Sequence, residues 1–470
     1  MPGFRHLVVV LPGIGGSVLE RPPGPGRPAE TVWDAGFGAI DDLVRRPGRL
    51  DLGNAPDLRP AGLIRSRQVL PGLTAIHGYE KLRAGFAEQG ATIDDGRSGV
   101  RVPGADVVFF PYDFRRSVAE SAQLLAAEVH ERLKDLVPSA REGRVVVLAH
   151  SMGGLVARYW LGPLGGWPLC RALITLGTPH RGAPKALRWT VDGVRLAGRR
   201  LDGPTELIRG WPAVAELLPR YPAVWDAVGE RAIRPHELPI PSLAGPAKRA
   251  YDLHLEIESA WREMPRGSTE VLPRIGWSHA TVNAMTWDGM RLIGSRRPPA
   301  WLDLGAWHDD RGDGTVPAFS ALPTEMDATG PDRFRVRERH GPLGGAPTGV
   351  SLVMQYERFP SLAPVHGYGD GAATLGLSLD EAHPVGDPVP VRAEVLRAPA
   401  ETAGADAWAT VTAAGAVRPL ADVRLEPVDG GFAGALTGLA PGLYDLTVRV
   451  RGLGDQADLR SADSFAVLAG

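Results

Sequence analysis

The chain has 470 residues, 44% hydrophobic and 23% charged, enough for a large core and two domains. Its 52 basic and 54 acidic residues leave a net charge of −2, which removes any electrostatic case for binding nucleic acid or an anionic membrane. A single cysteine, Cys170, excludes an internal disulfide, and no run reaches the ~18 apolar residues of a membrane span.

Leu7–Leu11 reads as a buried strand, cut off by Pro12 and the glycines 13, 15 and 16. This run is too short for a secretory signal and is expected to be the first core strand of a cytoplasmic protein. The glycine-rich turn after it can aim backbone amides outward. Ile14 is the candidate donor, with Gly13 and Gly15 as alternatives and a plain turn as the competing reading. Residues 21–76 are rich in Pro and Gly, contain Trp33, and read as a cap insertion. Residues 78–89 predict a helix with Tyr79, Leu82 and Phe86 on one face. Residues 107–110 predict a second strand, followed by an Asp113–Arg115 ion pair and a helix capped by Ser117.

The stretch 144–160, RVVVLAHSMGGLVARYW, holds the clearest chemical signal. Five apolar residues predict a buried strand, and Leu155, Val156, Tyr159 and Trp160 predict a helix. Ser151 is the hinge between them, with Ala149 and Gly153 two positions away on either side. That is the pattern of a nucleophile elbow, whose tight turn admits only small residues there and presents the serine hydroxyl above the sheet. The Met152 amide then faces a developing oxyanion.

A third strand is expected at 172–176, followed by His180 in GTPHRGAP. His180 stands too early for the base, so a structural role or a place on the substrate rim is expected instead. Residues 185–300 read as a second cap insertion, poor in regular pattern, with one further strand near 272–278 and a hairpin at 282–294. Asp313 sits between glycines in RGDGTVP, where a turn can fix a carboxylate; Asp309 and Asp310 are the alternatives. An edge strand at 333–339 ends at His340, the expected base, with His366 as its competitor. The order Ser151, Asp313, His340 is the order in which α/β-hydrolases supply nucleophile, acid and base.

Beyond a linker near 361–371, about seven short alternating runs suggest a small immunoglobulin-like β-sandwich. The expected organisation is an α/β-hydrolase domain over 1–368, with cap insertions at 21–76 and 185–300, and an all-β sandwich over 372–470.

Seven stretches resemble the lecithin:cholesterol acyltransferase family, in its order: VVVLPGIGGS, FPYDFR, AHSMGG, LGTPHRG, WPAVAELLP, GDGTVP and RHGPL. The resemblance implies a serine lipase, esterase or acyltransferase. Its triad would be Ser151, Asp313 and His340, with oxyanion amides at Ile14 and Met152. Trp33 would correspond to the family's cap tryptophan beside the acyl chain. The partners it implies are a lipid or other acyl ester, an alcohol or water acceptor, and transient contact with a membrane surface. Neither metal nor cofactor is expected. The competing reading is a non-catalytic adaptor with a hydrolase-like core and a docking sandwich.

Overall fold

The computed structural model describes residues 4–469, apart from 98, 136–144, 197–198, 266, 305–310, 327–333, 359–372, 398–401, 403 and 454–457. His366, Asp309, Asp310 and the expected linker lie outside the described residues.

The strands of the two large sheets are numbered here in chain order. The first sheet contains β1 (Leu7–Leu11), β2 (Ile93–Asp94), β3 (Val107–Phe109), β4 (Val145–His150), β5 (Cys170–Leu176), β6 (Glu270–Gly276) and β7 (Arg335–Val336). Its spatial order is β7-β6-β5-β4-β1-β3-β2, and every neighbouring pair runs parallel. Parallel strands covered on both faces read as continuous apolar runs. Accordingly all of β1 is buried, and so are the Val145–Val147 triplet and the 172–176 run. Four helices flank this sheet: α1 (Glu80–Glu88), α2 (Val118–Asp135), α3 (Met152–Leu161) and α4 (Pro347–Arg358). The α2 start is a capping box: Ser117 Oγ accepts from the Glu120 amide at 3.1 Å, and a Glu120 carboxylate oxygen accepts from the Ser117 amide at 3.2 Å.

The stretches 21–76 and 185–300 are more regular than the sequence suggested. A three-stranded antiparallel sheet holds Ser17–Arg21, Glu30–Trp33 and Arg59–Leu63. A short hairpin follows, Gln68–Leu70 paired with Thr74–Ile76. The stretch 185–300 contains the 23-residue helix Pro241–Glu263. It also has the expected hairpin, formed by Ala284–Trp287 and Leu292–Ser295. The Asp113–Arg115 pair forms: Arg115 is fully buried, grips both carboxylate oxygens, and reaches the Ala55 carbonyl at 3.0 Å, tying a cap loop to the sheet.

The C-terminal strands are β8 (Thr374–Ser378), β9 (Ala382–Pro384), β10 (Val389–Leu396), β11 (Asp406–Ala413), β12 (Ala421–Val428), β13 (Gly431–Leu436), β14 (Gly442–Arg451) and β15 (Leu459–Leu468). They join in the order β8-β10-β13-β12-β11-β14-β15-β9. The first half of β12 pairs with β11 and its last three residues with β13, so this strand carries the chain from one ladder to the other. Alternate residues such as Val391, Ala409, Val448 and Phe432 form a separate apolar core. Among the described residues no helix is long and apolar enough to cross a membrane.

Candidate functional site

Because the seven strands are parallel, their carboxyl ends share one edge, where ligand sites of open α/β sheets form. The loop after β4 begins with Ser151, whose φ of 52° and ψ of −125° lie outside the regions favoured by residues with a side chain. This strain comes from turning a strand into a helix at one residue. Close approach demands the glycine that follows: a Cβ on Gly153 would stand 2.5 Å from the Pro12 carbonyl oxygen.

Three side chains meet above this turn. His340 Nε2 lies 2.9 Å from Ser151 Oγ, and His340 Nδ1 lies 2.7 Å from Asp313 Oδ2. A carboxylate only accepts, so Nδ1 carries the proton and Nε2 is free to accept from the serine hydroxyl. The other Asp313 oxygen accepts from the Thr315 amide at 2.9 Å and the Val316 amide at 2.6 Å. The Asp313 carbonyl also accepts from the His340 amide at 3.0 Å. Burial is the largest influence on Asp313 and pushes its carboxyl up. The His340 ring and the two amides outweigh it and hold the group below the usual range. Ser151, His340 and Asp313 are 5%, 3% and 1% exposed, so the constellation is shielded from bulk water.

Two groups unrecognised in the sequence brace the site. His150 Nε2 lies 3.0 Å from the His340 carbonyl, and its Nδ1 lies 2.9 Å from the Tyr79 hydroxyl. That carbonyl can only accept, so Nε2 donates, and the Tyr79 hydroxyl donates to Nδ1. The Tyr79 oxygen in turn accepts from the Gly13 amide at 2.9 Å. Burial first, and the neighbouring His340 second, lower the His150 pKa to about 3, so the ring stays neutral. One directed chain of hydrogen bonds therefore runs from the glycine-rich loop to the backbone of His340. The position before the elbow serine and the head of the 78–89 helix were both on view in the sequence. What they touch was not.

This chain also narrows which amides of the turn are free. The Gly13 amide is committed to Tyr79. Among the described residues the amides of Ile14 and Met152 have no acceptor. Ile14 lies in the turn after β1 and Met152 at the first position of α3.

The two remaining candidates have other partners. Trp33 is fully buried; its indole N–H donates to the Gly15 carbonyl at 2.8 Å, and its ring packs on Phe114. It steadies the glycine-rich loop from behind. His180 is also buried, with Nδ1 accepting from Arg158 at 3.2 Å and Nε2 directed at Thr175 Oγ1 at 3.3 Å. Burial, then the Arg158 charge, hold its pKa well below the ordinary value. Arg158 also pairs with Glu325 at 2.6 Å and lies over Trp261. With both nitrogens engaged, His180 braces the sheet edge.

The parallel sheet, the strained serine turn and the Ser-His-Asp contacts define an α/β-hydrolase type of arrangement. Residues 97–230 match the family model of lecithin:cholesterol acyltransferase, so the resemblance read from the motifs is borne out for the segment that carries the elbow. No curated protein matches the chain. Among solved structures, the chain is similar to Bacillus licheniformis lipase BlEst2 in propeptide form, at 12% identity and a TM-score of 0.36, covering 99% of this chain and 94% of that one. The mature form of the same lipase gives 13% identity and a TM-score of 0.32, covering 76% of this chain and 93% of that one. A superoxide reductase (neelaredoxin) from Ignicoccus hospitalis gives 16% identity and a TM-score of 0.16, over 20% of this chain and 80% of that one.

Proposed function

We propose that this protein is a serine-dependent ester hydrolase or O-acyltransferase acting on lipid-type acyl esters. The observation that carries the reading is the pair of contacts Ser151–His340 at 2.9 Å and His340–Asp313 at 2.7 Å. The family match over 97–230 supports the acyl-ester class. In this reading His340 Nε2 takes the Ser151 proton as Oγ attacks the ester carbonyl. Asp313 orients the ring and offsets the imidazolium charge. The Ile14 and Met152 amides hold the tetrahedral oxyanion, each contributing on the order of 3 kcal/mol to lowering the barrier. His340 returns the proton to the departing alcohol, leaving an acyl-serine. Water or a second alcohol, deprotonated by His340, then releases the acyl group and restores Ser151.

In the same reading the chain divides into a hydrolase domain over 1–368, with its caps at 21–76 and 185–300, and a β-sandwich over 372–470. The separate apolar core of β8–β15 and the crossing of β12 between two ladders support the sandwich.

The test is labelling with a fluorophosphonate, followed by hydrolysis of short and long acyl esters. Wild type is expected to label at Ser151 and turn over; Ser151→Ala is expected to do neither while keeping its fold. A folded wild type that neither labels nor hydrolyses would leave the adaptor reading, and turnover by Ser151→Ala would remove the serine from its role. Supplying a phospholipid and an alcohol, then comparing free fatty acid with new ester, separates hydrolase from transferase.

A further inference from the structure

The strand that leads to His340 is weak. β7 has two residues, paired with β6 at the sheet edge, and the helix that opens at His340 has only five. A base must hold its ring to within a fraction of an ångström, which calls for rigid support from beyond its own loop. That support comes from the far end of the chain.

Arg339, the residue before His340, points into the C-terminal sheet. Its Nε pairs with Asp463 of β15 at 2.5 Å, and both side chains are 6% exposed. Its Nη1 donates to the Leu377 carbonyl of β8 at 2.6 Å, and its Nη2 to the Leu379 carbonyl at 3.3 Å. Each nitrogen of one guanidinium thus bonds to the C-terminal segment. A second tie runs through His279, whose Nδ1 accepts from the Leu377 amide at 3.1 Å and whose Nε2 donates to the Arg337 carbonyl at 2.9 Å. The acid's loop is gripped as well. Arg311 pairs with Glu394 of β10 at 2.7 Å, and Lys185 joins Glu381 to the Gly314 carbonyl.

The charges have a logic of their own. The Arg339 guanidinium also lies against Gly314, next to Asp313. A buried cation without a carboxylate of its own would compete with His340 for Asp313. Asp463 supplies that carboxylate and leaves Asp313 to the imidazole.

We infer that the C-terminal sheet completes the active site, with Asp463 acting through Arg339 as a positioning residue for His340. The inference rests on the proposed serine-hydrolase reading. It gives the module a task besides docking, and makes the two ends of the chain one catalytic unit.

The experiment compares full-length wild type, Asp463→Asn, Asp463→Glu and Val450→Ala for fluorophosphonate labelling rate, kcat and KM with a soluble acyl ester, and melting midpoint. Val450 is fully buried in the β8–β15 core and pairs with Leu459, four residues along β15 from Asp463, so Val450→Ala loosens the sheet without touching the Arg339–Asp463 pair. Asp463→Asn is expected to lower kcat and the labelling rate about a hundredfold with KM unchanged. Asp463→Glu, which keeps the charge, should recover most of that loss. Val450→Ala should lower the midpoint and keep kcat. Wild-type kcat in folded Asp463→Asn, or an equal loss in Val450→Ala, overturns the inference. If Asp463→Asn does not fold, Arg339→Lys, which keeps the charge and loses the two carbonyl bonds, is expected to show the same kcat loss; unchanged kcat there overturns it too. Should wild type itself not label, the hydrolase reading fails and this inference with it. Should wild type label while the variants match it, only the positioning role fails.

Discussion

Asp313 keeps its charge although almost no water reaches it. Burial favours its neutral form, but an imidazole, two amides and its place in a tight turn favour the carboxylate more strongly. Changing it to Asn keeps the shape and removes the acceptor that fixes the Nδ1–H form of His340. The amide N–H₂ would face that nitrogen and drive the proton to Nε2, where it blocks the serine. Asp313→Asn is therefore expected to lower kcat by roughly 10³–10⁴-fold, read from ester hydrolysis with KM recorded alongside. Turnover within about tenfold of wild type would exclude this role. The types and order of Ser151, Asp313 and His340 were legible because each sits in a local signal: an elbow, a glycine-flanked turn, a post-strand loop. The partners of Trp33 and His180 were not, since a buried N–H finds whatever carbonyl or side chain the fold brings near. The same holds for Tyr79, whose apolar ring suggested only a helix face.

At the scale of elements, the elbow depends on how closely α3 approaches the loop after β1. A methyl group at Gly153 would collide with the Pro12 carbonyl, a backbone atom that cannot swing aside. Gly153→Ala is expected to push the start of α3 away, cost about 1–3 kcal/mol of stability, and slow labelling of Ser151. Urea unfolding and labelling kinetics check both; wild-type values in each would show that the turn has slack. The elbow was readable because apolar spacing changes period at one residue. The helix Pro241–Glu263 escaped because Pro241 and Pro246 look like breakers, yet Pro241 opens the helix, where the first amides need no helical acceptor, and Pro246 is tolerated inside it. Its buried face, Leu243, Ala247, Ala250, His254, Ile257 and Trp261, has helical spacing but mixes small and polar residues.

For the whole molecule, buried histidines set the response to acid. Burial is the first cause of each shift: His150 is lowered to about 3, His254 and His279 to about 4, and His180 well below its usual value. In the unfolded chain each titrates near 6.5. Unfolded chains therefore take up protons that the native state refuses, and the contribution is complete above pH 6.5 and lost as pH falls toward 4. Glu216, raised by burial to about 8, and Glu258, also raised by burial, act in the opposite direction as pH rises from about 4.5. Four histidines outweigh two glutamates, so stability should drop between pH 6.5 and 5, by on the order of 1.4 kcal/mol per pH unit for each net proton. Urea midpoints at pH 7 and pH 5 test this; an equal or higher midpoint at pH 5 would contradict it.

Local pattern was enough to place the first parallel strands, the serine turn, the order of Ser151, Asp313 and His340 and most C-terminal strands, because hydrophobic period and turn chemistry act over a few neighbouring residues. Distance in the chain hid the rest. That Tyr79 fixes the Gly13 amide, that His150 holds the His340 backbone, and that Asp463 reaches Arg339 depend on contacts across 66, 190 and 124 positions (340 − 150 = 190; 463 − 339 = 124). Such pairs arise when packing removes both groups from water and each must find a partner, a condition that exists only in the folded chain.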